Sequence, residues 1–144
     1  MSNVAFHKAL VPVNDSDLSD RVVFKAAELV EKGFVEKLVL LSVWEADEID
    51  YTKLHSPEKV EKLKAKAQAV LDAHKVHLNI DCIEAEYVRA GGDPAEMIIR
   101  AVEAGDYDLI IMGSRRLNKL QELIFGSVSD RVTRLVDVPI LVVK

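Results

Sequence analysis

Apolar and polar positions along the chain switch repeatedly between the period of a strand and the period of a helix. Phe6 to Val13 is a short apolar run rich in strand formers. Val23, Ala26, Ala27 and Val30 then recur at i, i+3, i+4 and i+7, one face of a helix. Ser16 or Asp17 is placed to cap that helix and Gly33 to stop it. Leu38 to Trp44 reads as a second strand. Ser56-Pro57 then opens a long helix whose inner stripe is Val60, Leu63, Ala67, Val70, Leu71 and His74. The third strand is expected from Cys82 to Val88. Asp93-Pro94 opens a helix facing inward with Ala95, Ile98, Ile99 and Val102. Asp108 to Met112 is a fourth strand, Val128, Val132, Leu135 and Val136 mark a last helix, and Pro139 to Lys144 a last strand.

This βαβαβαβαβ order predicts an α/β fold with a parallel, doubly wound sheet, because strands joined through helices return to the same end of the sheet. Runs such as LVLLSV and DLIIM suit strands covered on both faces. No Pro- or Gly-rich linker interrupts the 144 residues, so a single domain over 1–144 is expected. In such sheets ligands sit beyond the carboxyl ends of the strands, where the winding reverses. Attention therefore falls on loops 12–17, 44–56, 89–94 and 113–127.

Composition narrows the function. With 49% hydrophobic residues and short apolar runs, the chain has material for a core and none for a membrane helix. A net charge of −5 argues against general nucleic-acid binding. The N-terminus lacks the pattern of a secretory signal, and Cys82 is the only cysteine; both fit a cytoplasmic location. Neither G-x-G-x-x-G nor a P-loop is present, nor a G-x-S-x-G elbow. His74, His77 and Cys82 do not have metal-ligand spacing. Asp15, Asp17 and Asp20 suit caps and the dipole of the first helix better than acid–base work.

The segment from Gly113 to Ser129 is different. It leaves the carboxyl end of a strand and carries a local basic cluster, Arg115, Arg116 and Lys119, against an acidic background. Gly126 permits close backbone approach just before Ser127, Val128 and Ser129 open a helix whose free N–H groups can take an anion. Binding of phosphate and a purely structural strand-to-helix junction are both consistent with these residues.

The stretches VPVNDS, LLSVWE, GGDPAEMII and DLIIMGS, with the ending GSVSDRVTRLVDVPILVVK, resemble the universal stress protein family over essentially the whole chain. The resemblance implies strand order 3-2-1-4-5 with helices on both faces, and a homodimer through the C-terminal strand. One branch of the family holds ATP through G-x-x-G, nine residues, then G-[ST]. Gly113, Gly126 and Ser127 match that pattern, whereas Arg116 replaces its second glycine. Asn14 stands where that branch has a nucleoside-contacting aspartate. Position by position, the resemblance puts Pro12, Val13, Asn14, Val43 and Met112 by the nucleoside, and Gly113, Gly126, Ser127, Val128 and Ser129 at the phosphates. The guanidinium groups of Arg115 and Arg116 can pair with phosphate oxygens, or Arg116 can fill the cradle. The implied ligand is ATP, ADP or AMP, with Mg²⁺ only as the nucleotide's counterion. The implied role is a stress-response switch or sensor and not a fast catalyst; the other reading is a nucleotide-free dimeric interaction module. Trp44, next to Val43, is expected to border the ligand.

Overall fold

The computed structural model describes residues 4–44, 57–114 and 127–144. Five strands, β1 (Phe6–Val13), β2 (Val35–Trp44), β3 (Ala85–Gly91), β4 (Leu109–Gly113) and β5 (Ile140–Val143), alternate with four helices. These are α1 (Asp17–Glu31), α2 (Pro57–Ile80), α3 (Pro94–Ala104) and α4 (Ser127–Leu135). All four strand pairings are parallel and the order is β3-β2-β1-β4-β5, the topology implied by the resemblance.

Strand alternation divides the core into two layers. Val11, Val13, Leu38, Leu40, Leu109 and Ile111 turn toward Val22, Val23 and Ala26 of α1 and Leu71 of α2. Leu10, Val39, Leu41, Ile110 and Met112 turn the other way, toward Ala95 and Ile98 of α3 and Val132 of α4. The near-continuous apolar strands are thus explained by burial on both faces.

The helix ends show which local signals act. Ser16 caps α1, its hydroxyl accepting the Ser19 N–H, and Asp17 and Asp20 fill the first turn. After α1, Gly33 takes φ +81° while its N–H and that of Phe34 donate back to Val30 and Leu29. α2 closes with the same pattern, Cys82 and Ile83 donating to Asn79 and Leu78, and here Cys82 occupies the left-handed position at φ 57°. The expected third strand from Cys82 is therefore corrected. α2 and its closing turn consume residues through Cys82, and β3 starts at Ala85. Leu135, expected on the inner face of α4, is instead exposed; among the described residues of that short helix Val132 is the one that is buried.

His74 lies buried on α2 as its stripe predicts. Loss of hydration holds its pKa below the usual value of 6.5, opposed by Asp20 on α1 and reinforced by His77 on α2. A histidine that is harder to protonate when folded contributes stability above its unfolded pKa. That contribution is lost as pH falls from 6.5 through the depressed folded value. Thermal unfolding between pH 7 and pH 5 should show a fall in midpoint that His74→Leu largely removes. A wild-type and variant that fall in parallel would place the acid sensitivity elsewhere.

Candidate functional site

A crevice of about 370 Å³ opens at the carboxyl ends of β1 and β4, where the winding reverses. Leu41, Val43 and Met112 contribute from the α3/α4 layer, and Pro12 and Val13 from the end of β1. Its lip is polar, with Asn14, Ser16, Ser19 and Ser114. Pro94 and Ile98 of α3 and Val128 of α4 close the far side. The volume falls in the range of small-molecule sites, about 300–1,000 Å³, and the mixture of apolar walls and a few polar groups is typical of them.

The turn after β1 is built by side chains. Asn14 Oδ1 accepts the Ser16 N–H at 2.9 Å and also the Ser16 hydroxyl, while the Asn14 N–H donates to Ser19 Oγ at 3.0 Å. A backbone N–H must meet an acceptor, so this network fixes the amide orientation: the oxygen is used in the turn and the amide nitrogen is the group left for other work. Asp15, the one carboxylate among the described crevice residues, pairs with Lys66 of α2 at 3.2 Å. No nucleophile–base pair occurs among these residues.

Gly113 fulfils a purpose the sequence does not announce. A β-carbon there would lie 2.7 Å from Leu18 Cδ2 and 3.2 Å from Val22 Cγ2, so the glycine lets α1 close on the end of β4. Ser114 follows, buried, with its N–H on the Val143 carbonyl at 3.0 Å.

Of the sequence-derived site residues, Pro12, Val13, Asn14, Val43, Met112, Gly113 and Val128 come together in this crevice. Ser127 and Ser129 open α4 beside Val128. Arg115, Arg116 and Gly126 lie outside the described residues. Trp44 corrects one expectation. It is not among the described residues lining the crevice, because strand alternation turns it away from Val43's side. Its ring lies over Gly91, where a β-carbon would come within 2.2 Å, and Lys64 Nζ is 5.7 Å from the ring centroid. Leu18, Ser19, Pro94, Ile98 and Ser114 are crevice residues that sequence reasoning missed. Among the described residues no group of three His, Cys, Asp or Glu side chains is placed to hold a metal ion.

The family model for universal stress proteins matches residues 5–144. The chain belongs to the universal stress protein family. Universal stress protein YxiE of Bacillus subtilis is 29% identical over 96% of this chain and 99% of its own length. Stress response protein NhaX of the same organism is 38% identical, over 60% of this chain and 48% of that protein. Among solved structures, MJ0577 of Methanocaldococcus jannaschii superposes with a TM-score of 0.81 at 28% identity, covering 98% of this chain and 97% of that one. Two further universal stress protein structures share the fold. One is a complex with cAMP (TM-score 0.73, 19% identical, 97% of this chain and 98% of that one). The other is an Arabidopsis thaliana protein with AMP bound (0.67, 21%, 96% and 91%). No helix among the described residues is long and apolar enough to cross a membrane.

Proposed function

We propose that this single-domain universal stress protein binds an adenine nucleotide in the β1/β4 crevice and works as a cytoplasmic stress-response switch or sensor. The observation that carries the reading is the crevice itself: apolar walls from Val13, Val43 and Met112 at one end, and the opening turn of α4 at the other. The first can hold a flat base and sugar by burial, the second an anion through the backbone N–H groups that the first turn of a helix leaves without intrahelical partners, and through the helix dipole. Family members caught with cAMP and with AMP support the class of ligand. Pro12, Asn14 and Gly113 complete the nucleoside side, and Ser127, Val128 and Ser129 the phosphate side. Gly126 and the guanidinium groups of Arg115 and Arg116 are assigned to the phosphates from the sequence. Mg²⁺ enters with the nucleotide, and turnover is slow because Asp15, the carboxylate at hand, is already paired with Lys66. The working form is a homodimer joined through β5.

Calorimetry with ATP–Mg²⁺, ADP and AMP, with acid extraction of the freshly purified protein, tests this. Saturable heat or co-purified nucleotide is expected. No heat at millimolar nucleotide and an empty extract would leave the nucleotide-free interaction module as the reading.

A further inference from the structure

α4 is a helix of nine residues that stands almost entirely in solvent; Val132 is its one fully buried side chain among those described. Yet its first turn is the part of the crevice that must be held still if an anion is to find its N–H groups in place. Beyond the apolar contacts of Val128, Val132 and Val136 with the α3/α4 layer, a charged tie to α3 reaches it. Arg131 Nη1 donates to Asp93 Oδ2 at 2.9 Å. The same Asp93 oxygen accepts the Glu96 N–H at 2.9 Å, as the N-cap of α3. A single carboxylate oxygen therefore joins the N-cap of α3 to a residue 38 positions on in α4, and both helices contribute crevice residues, Pro94 and Ile98 from one and Val128 from the other. Arg131 is the fifth of the nine residues of α4, and helical side chains lean toward the N-terminus, so its guanidinium reaches back over the opening turn.

We infer that Asp93 and Arg131 form a latch that positions the first turn of α4 against α3, and so sets the phosphate end of the crevice. Neither residue needs to touch the ligand; both are positioning residues. The ligand consequence rests on the nucleotide reading above, whereas the mechanical consequence does not. Both side chains are partly exposed, Arg131 44% and Asp93 34%, so the tie contributes little to global stability, and the effect concentrates on the geometry of one turn.

Two substitutions separate the tie from its neighbours. Arg131→Gln removes the charge from α4. Asp93→Asn keeps a good N-cap for α3 while removing the charge from the other side. Hydrogen exchange on the full-length protein should show α4 amides exchanging about two- to fivefold faster in either variant, with α3 unchanged. Calorimetry should show ATP bound about fivefold more weakly and adenosine bound as before, since only the phosphate end shifts. The double variant should be no worse than either single one. Unchanged α4 exchange, or equal losses for ATP and adenosine, would overturn the latch. If the wild type binds neither ligand, the nucleotide reading falls and the latch stands or falls on the exchange data alone.

Discussion

Val128→Glu should reduce affinity for ATP by about 100-fold or more, because it places a carboxylate at the end of the crevice proposed to hold the phosphates. The fold should survive. Val128 is only half-buried and is the second residue of α4, where a negative side chain favours the helix dipole. The same dipole that would attract phosphate is then satisfied from within. Circular dichroism should match the wild type while calorimetric heat with ATP–Mg²⁺ disappears, and Val128→Leu should retain binding. ATP affinity that survives the glutamate would move the phosphate site away from α4.

If the chain pairs through β5 as proposed, Leu141→Lys should convert the dimer to a monomer. β5 pairs with β4 from Ile110↔Ile140 to Gly113↔Val143 and ends the sheet on that side, leaving its outer backbone groups available to a second copy. Leu141 is the most exposed of its four residues, with Ile140, Val142 and Val143 half-buried, so little in the strand itself opposes edge-to-edge pairing. Antiparallel pairing about a two-fold axis repeats each contact and buries Leu141 twice. Lysine at that position introduces facing charges across the axis. Light scattering at tens of micromolar should give twice the chain mass for wild type and the chain mass for the variant, with Val142→Lys as the parallel test on the other face. A monomeric wild type, or a dimer indifferent to both, would put the interface elsewhere.

The fold was largely legible because its signals are local. Strands buried on both faces read as apolar runs, and Ser16, Gly33 and Asp93-Pro94 mark helix ends by capping chemistry. β3 was misplaced at its start because Cys82, a residue without turn preference, occupies the left-handed position that Gly33 fills after α1. The site residues on strand ends, Val13, Val43 and Met112, were legible from the rule for parallel sheets and from the family motifs. Leu18, Ser19 and Ile98 were not, since they reach the crevice from helix faces whose rotation about the sheet is set by packing. The side to which Trp44 turns follows from strand alternation once Val43 is placed. The Asp93–Arg131 pair joins the start of α3 to α4, and nothing in local periodicity links them.

The sheet separates two cores that share backbone but not side chains. Leu18 and Val22 of one and Ile98 and Val128 of the other all line the crevice. A molecule seated there is consequently a mortar between layers that otherwise communicate through the strands alone. Occupancy would make the loosening of one layer felt by the other, so a bound form would be expected to melt more nearly as one cooperative unit than the free one. A sensor of this build would signal its ligand through the cooperativity of the whole domain, without any part having to travel.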